Sequence, residues 1–455
     1  MSRDHGASGD VADIALQLQF GEDDEPPHPP VDDQRAVLAS YFEGTGRVVV
    51  DASAGTGKTS TLVTTVAEAI VREASEHHNP LSGMLVTTFG RDATAELKTR
   101  LKELLRCHDA NGGELPHEVF RWLETDSTIE TLDAVFGDLL REIAVEVGVP
   151  PDFAVDDRLE LQELREELFA DLHKEHRNEF RTLSAAYPSE DWREYPPESV
   201  EGMLSTAQQK CREFGITPTE AADSLRESLG VGHGDEGDRW FEGWAPETRP
   251  DSVPPETIDD ITVLLRAVVD ADGTLNYEDD ADAQQFLKHV RETYFATEAA
   301  IDAFATLLSA YEEAYDERTR RAGQFTFTDV AHLLAGYLDA CEPTDPFRRT
   351  LGERFDHVFV DEFQDTSAVQ CSVLRRLVDP EGASDDPEAS RDDPADAANL
   401  FLIGDSKQAI YEWRSADPAL FAEIIETTKA AAPAPASIPH LDVDNVRYHA
   451  LSTVF

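Results

Sequence analysis

Several residues in this chain are typed for chemistry on a polyphosphate. Lys58 and Thr59 close the run Asp51-Ala-Ser-Ala-Gly-Thr-Gly-Lys-Thr59. A lysine ammonium reaches β- and γ-phosphates, and the hydroxyl one residue on is placed to ligate Mg²⁺. The small residues ahead of them (Ala52, Ser53, Ala54, Gly55, Thr56 and Gly57) let successive backbone N–H groups face the phosphates. Asp361 and Glu362 are adjacent carboxylates. The first is typed to hold Mg²⁺ through water and the second to polarise an attacking water. Gln408 carries an amide able to sense a terminal phosphate, and Trp413-Arg414 is an aromatic–basic pair suited to a base and a phosphate. Gln34, two dozen residues before Lys58, is either a solvated helix-start residue or a reader of an adenine edge.

These groups need elements to hold them. The β-branched run Arg47–Val50 leads into the small-residue loop, and the amphipathic segment Ser60–Glu73 follows it. Strand, loop and helix in that order form a P-loop, with the helix N-terminus adding positive dipole. Ala52 stands where the general pattern has its first glycine. A second apolar strand, Gly83–Phe89, precedes a helical pattern over 90–101, so Thr88, Phe89 and Arg91 fall at a strand tip where α/β sheets bind ligands. Ser127–Phe136 leads a further amphipathic helix running to about Val147. Strands Val358–Val360 and Asn399–Asp405 deliver the carboxylates and Gln408. Between about 152 and 320 long charged amphipathic patterns replace the strands, and Trp192, Trp240 and Trp244 there read as packing residues. The expected division is a disordered acidic leader over 1–30, an α/β domain over 31–150 and 321–430, a helical insert over 151–320, and a linker with the start of a second domain over 431–455. A short helix from Val31 is expected to be capped by Asp32 or Asp33. The segment Asp379–Ala398 reads as a solvated acidic loop.

Composition sets the bounds. The 455 residues are 40% hydrophobic, enough for a sizeable core, and carry a formal charge of −53 from 92 acids against 39 bases. Such a field repels phosphates in dilute buffer. Because the acid is spread over every segment, we read it as a surface adapted to concentrated salt, where screening is short-ranged. Four scattered cysteines without a CxxC pair read as buried thiols in a reducing cytosol. No apolar run reaches the length of a membrane span, and a cytoplasmic protein is expected.

Taken together, the motifs resemble those of the UvrD/Rep-type superfamily 1 helicases, including the RecB/AddA branch. The resemblance rests on Ala52–Thr59, Thr88-Phe89 with Ala93-x-Ala95-Glu-Leu97, Asp361-Glu-Phe-Gln-Asp-Thr366, and Gly404-Asp-x-Lys-Gln-x-Ile-Tyr-x-Trp-Arg414. It implies a P-loop NTPase (RecA-like) parallel sheet domain with an inserted all-helical subdomain. It also implies ATP and Mg²⁺ as cofactors, with Gln34 on adenine, Lys58 on phosphates, Thr59 and Asp361 on Mg²⁺, and Glu362 as catalytic base. Gln364 and Gln408 would couple the γ-phosphate to DNA, and Arg414 would link the two sites. Thr88, Phe89, Arg91, Tyr411 and Trp413 would contact single-stranded DNA. The implied activity is 3′-to-5′ translocation on single-stranded or tailed duplex DNA, and the implied partner is a second helicase half or a nuclease subunit. Asn445-x-Arg447 resembles the family's fourth motif, which would bring Arg447 to the γ-phosphate. Departures fall at Asp92, where a lysine is common, and at Asp133-Ala134, where a His and a small residue are usual. The chain is expected to stop just inside that motif, before a second motor domain. A non-motor ATP- and DNA-binding switch needing a partner in trans is the alternative.

Overall fold

The computed structural model describes residues 14–21, 27–75, 77–155, 160–186, 200–228, 281–342, 344–378, 398–408, 418–438, 441 and 443–451. It divides into two compact units, one of Met1–Val155 with Thr326–Phe455 and the other of Asp156–Phe325.

The first unit is built on a seven-stranded sheet. Its strands are β1 (Arg47–Ala52), β2 (Met84–Thr88), β3 (Thr128–Thr131), β4 (His357–Val360), β5 (Asn399–Gly404), β6 (Ala436–Ile438) and β7 (Val443–Leu451), in the order β3-β2-β4-β5-β1-β7-β6. All pairings are parallel except β6 with β7. Continuous apolar runs such as Val48-Val-Val50, Val358-Phe-Val360 and Leu400-Phe-Leu-Ile403 are what strands buried on both faces require. Parallel neighbours need crossover helices. Helix α1 (Asp32–Ala39) precedes β1, α2 (Lys58–Glu73) follows it, and α3 (Arg91–Ala110) and α4 (Val119–Thr125) join β2 to β3. Helix α5 (Leu132–Glu142) follows β3.

The second unit holds α6 (Glu160–Glu175), α7 (Arg177–Ala186), α8 (Val200–Phe214), α9 (Pro218–Ser228) and the 42-residue α10 (Ala281–Ala322). Its core joins Leu168, Phe169, Phe180, Leu204, Leu307 and Tyr311, with the Phe169 and Tyr311 rings stacked at 4.8 Å. Back in the first unit come α11 (Phe327–Ala340), α12 (Pro346–Gly352), α13 (Ala368–Val378) and α14 (Pro418–Ala431).

Four expectations change. The leader is not wholly unstructured: Ile14 and Leu18 are buried, and the Gln17 and Leu18 N–H groups each donate to the Glu68 carboxylate on α2 at 2.9 Å. Gln19 N–H donates to His108 Nδ1 on α3 at 3.0 Å. Apolar alternation at Ile14, Leu16, Leu18 and Phe20 seats this strap, which its acidic surroundings conceal. Thr128–Thr131 is an edge strand and not helix, because it finds β2 as a partner in register. The described residues of 431–451 do not begin a separate body: β7 pairs with β1 from Val48↔Arg447 to Ala52↔Leu451, inside the same sheet. Neither Asp32 nor Asp33 caps α1; its N-cap is Val31, whose N–H donates to Gln34 Oε1 at 3.1 Å. Among the cysteines, Cys211 and Cys371 are buried and Cys107 and Cys341 half-buried, all of them free. The tryptophans at 192, 240 and 244 and nearly all of the 379–398 loop lie outside the described residues. No helix among the described residues is long and apolar enough to cross a membrane.

Candidate nucleotide site

Parallel pairing aims the carboxyl ends of β1, β2, β4 and β5 at one edge, and the register sets them level. Asp51 pairs with Gly404, and Val360 with Leu402, so Glu362 falls at the height of the loop that leaves β1. That loop turns on itself through Thr56, whose N–H and hydroxyl both bond Ser53 O, at 3.2 and 2.7 Å. It enters α2 at Gly57, with φ 83°, a left-handed value that glycine adopts without strain. Ala54 and Gly55 are exposed at its mouth, and a Cβ at Gly55 would meet nothing within 4 Å. An open loop of small residues at a helix N-terminus fits a polyphosphate.

Lys58 Nζ donates to Glu362 Oε2 at 2.5 Å, across 304 residues of sequence. Glu362 holds φ 50° and ψ 43°, a left-handed conformation that a non-glycine residue adopts only under constraint. Its other partner is Gln364 Nε2 at 2.8 Å, and Gln364 Oε1 in turn accepts the buried Asp405 N–H at 3.0 Å. This close approach explains Gly404: a Cβ there would sit 2.5 Å from Gln364 Oε1 and 2.9 Å from the Phe421 ring. The turn after β5 is pinned further by Ser406 N–H on Asp51 Oδ1 at 3.2 Å, Lys407 N–H on Asp405 Oδ1 at 3.1 Å and Gln408 Nε2 on Asp405 Oδ2 at 2.8 Å. Lys407 Nζ then reaches back to Ser53 Oγ at 3.3 Å.

Asp361 is 8% exposed and accepts the Glu362 N–H at 3.0 Å. Burial, helped by the Glu362 charge and opposed by Lys58, pushes its carboxyl up to about 6. A buried carboxylate with that little compensation, at the same sheet edge as the Thr59 hydroxyl at the start of α2, is the hard-oxygen chemistry that fits Mg²⁺.

Other sequence-predicted residues are placed less directly. Gln34 is buried with both ends of its amide engaged, Oε1 by Val31 N–H and Nε2 donating to Thr61 Oγ1 at 3.0 Å, so it ties α1 to α2. Thr88 Oγ1 bonds Thr94 Oγ1 at 2.6 Å, Phe89 is half-buried, and Arg91 is exposed at the start of α3, all at the same sheet edge as the loop. Arg447 pairs with Val48, about 13 Å back from the end of β1, so the register withdraws it from the phosphate loop. Asp133 accepts from Gln370 Nε2 at 2.9 Å and is a packing contact between α5 and α13. Tyr411, Trp413 and Arg414 lie outside the described residues. Sequence reading missed Asp405 and Lys407 as parts of the site; their place in the run from Gly404 to Gln408 was the available signal.

The fold and this edge define a P-loop nucleotide-binding domain. The chain belongs to the UvrD/REP helicase family: its residues 31–429 match that family's N-terminal domain. It is 26% identical over 446 residues to an ATP-dependent helicase/nuclease subunit from Exiguobacterium sibiricum, covering 83% of this chain and 35% of that protein. The protein of the same name from Bacillus pumilus is 26% identical over 475 residues, covering 86% and 36%. A shorter match to that of Streptococcus pneumoniae reaches 34% identity over 120 residues, 26% of this chain and 8% of that protein. The chain thus spans about a third of the length of the relatives it matches along most of its own.

Proposed function

We propose that this chain is the nucleotide-hydrolysing wall of a DNA helicase motor, binding Mg²⁺·ATP at Ala52–Thr59 and coupling its turnover to 3′-to-5′ movement on single-stranded DNA. The observation that carries the reading is the Lys58–Glu362 ion pair, bridged onward by Gln364 to the turn after β5. In it the residue that would hold the terminal phosphates and the residue that would orient water lie against each other. Binding of a nucleotide would draw Lys58 to the phosphates and release Glu362 to accept a proton from the attacking water. Thr59 and Asp361 would hold Mg²⁺, which when bound offsets charge developing on the transferred phosphoryl group. Gln364, tied to both Glu362 and Asp405, would pass the state of the site to the turn that carries Gln408. Thr88, Phe89 and Arg91, on the same edge, are the proposed DNA contacts together with Tyr411 and Trp413, and Arg414 is proposed to link the nucleotide and DNA sites. The relatives' name makes a helicase/nuclease assembly the proposed setting.

The test is ATP turnover with and without single-stranded DNA, comparing wild type with Lys58→Ala and Glu362→Gln. Stimulation by DNA that both substitutions abolish supports the motor. Nucleotide binding with no turnover at any DNA concentration favours a switch acting with a partner in trans. Absence of nucleotide binding sinks both readings. The assay belongs in molar potassium chloride, because a charge of −53 suits concentrated salt. Unfolding temperatures that fall as salt is raised would overturn that choice.

A further inference from the structure

We propose that Lys407 is a second cation for the terminal phosphate of the bound nucleoside triphosphate, resting at present on the phosphate loop itself. The inference rests on the nucleotide-binding reading above. Its basis is a closed ring of hydrogen bonds. The ring leaves the loop at Lys58, passes through Glu362, Gln364 and Asp405 to the Lys407 backbone, and returns to the loop when Lys407 Nζ meets Ser53 Oγ. The Lys58 ammonium meets the Glu362 carboxylate at one end of this ring, which is where the terminal phosphate would be held. The other end is a lysine whose side-chain partner among the described residues is a neutral hydroxyl at 3.3 Å, a long and weak contact for an ammonium.

Two further facts point the same way. Lys407 is exposed and its ammonium meets Ser53, the residue before the open pair Ala54 and Gly55, so an incoming phosphate meets it without rearrangement of the core. The turn that carries it is fixed from below by Ser406 N–H on Asp51 and by Asp405 on Gln364, so only the side chain has to move. Lysine is also scarce here, with eight residues in a chain of net charge −53. Two of the eight, Lys58 and Lys407, converge on one eight-residue loop. A strongly acidic protein that binds a tetra-anion needs local positive charge at that place, and an ammonium exchanging a hydroxyl for a phosphate oxygen gains a charge-assisted bond. Because the bond goes to the terminal phosphate, it discriminates triphosphate from diphosphate.

The experiment measures binding of a fluorescent ADP and of a fluorescent non-hydrolysable ATP analogue, each with Mg²⁺, to wild type, Lys407→Ala and Lys407→Arg. In Lys407→Ala the ATP analogue is expected to bind about tenfold or more weakly, and ADP to stay within about twofold. Lys407→Arg is expected to recover most of the loss. Equal weakening of both nucleotides marks a merely structural lysine and overturns the proposal, as does an unchanged ratio. Wild-type protein that binds neither nucleotide overturns the P-loop reading and this one with it.

Discussion

Two buried charges, one in each unit, are met in opposite ways. In the helical unit Arg212 is 2% exposed and fully answered: its Nε and Nη2 reach Glu312 at 3.0 and 2.6 Å, and its guanidinium lies over the Tyr315 ring at 4.9 Å. Gln208 Nε2 takes the other Glu312 oxygen at 2.9 Å. In the sheet unit Asp361 is nearly as buried, yet its neighbours leave its carboxyl raised, while Glu362 is held left-handed beside it. A closed network fixes a core. An open one stores unmet electrostatic demand, which a cation and a polyphosphate can satisfy. That contrast sets the unit that carries the candidate nucleotide site apart from the helical one.

The largest expected effect breaks the open side. Glu362→Gln should lower DNA-stimulated ATP turnover by about 10²–10⁴-fold, the usual contribution of a general base. Nucleotide affinity should hold, because the amide still accepts from Lys58. Steady-state kinetics beside equilibrium binding checks this, and retained turnover removes Glu362 from the catalytic role. The closed side should respond in stability. Arg212→Ala leaves the Glu312 carboxylate, itself 23% exposed, without its bidentate partner, and should cost about 2–4 kcal/mol of unfolding free energy. Denaturant titration reads it, and a change under about 0.5 kcal/mol means that the pair is no more than a surface bridge.

How much of this contrast the residues announce depends on how local it is. Strand, small-residue loop and helix around Lys58, and the carboxylates after an apolar strand, are contiguous patterns that survive translation into β1, α2 and β4. Gln34 also had a local signal, since Val31-x-x-Gln34 has the N-cap to N3 spacing at which a Gln side chain accepts the N-cap N–H. The rest is set by partners far away in sequence. The Lys407–Ser53 contact spans 354 residues, and the strap at 14–20 becomes visible only through Glu68 and His108. Asn445 within β7 holds φ 61°, a left-handed value that no periodicity predicts. A helical pattern over Thr128–Thr131 fails because four residues suit either state, and β2 offers an edge.

Asp361 allows the comparison to be sharpened by pH. Its folded value near 6 lies above the ordinary 3.8, so the folded state binds this proton more tightly than the unfolded chain does. Metal-free protein should therefore lose stability as pH rises from about 4 to about 6, and stay at the lower level above that. Asp361→Asn removes the penalty. At pH 7 without metal the variant should be more stable than wild type by about 1–3 kcal/mol, an advantage that vanishes below about pH 4, where both states are protonated. Turnover should be lost with the Mg²⁺ ligand. Thermal unfolding across pH in chelator tests the stability arm, and a destabilised variant at pH 7 would show that Asp361 is already compensated.

The smallest effect uses the same substitution class where the carboxylate is answered. Glu68 is fully buried on α2, and its two oxygens accept Gln17 N–H and Leu18 N–H at 2.9 Å and Arg72 Nε at 2.7 Å. Glu68→Gln keeps the shape but gives one of those donors an N–H to face, and it removes the ion pair with Arg72. The expected loss is about 1–2 kcal/mol, opposite in sign to Asp361→Asn at the same pH. Faster amide exchange at one of Gln17 and Leu18 should accompany it, because the N–H that faces the new amide nitrogen loses its acceptor. If both carboxamide variants move stability in the same direction, burial alone governs the two sites. The distinction between answered and unanswered charge would then fail inside the sheet unit itself.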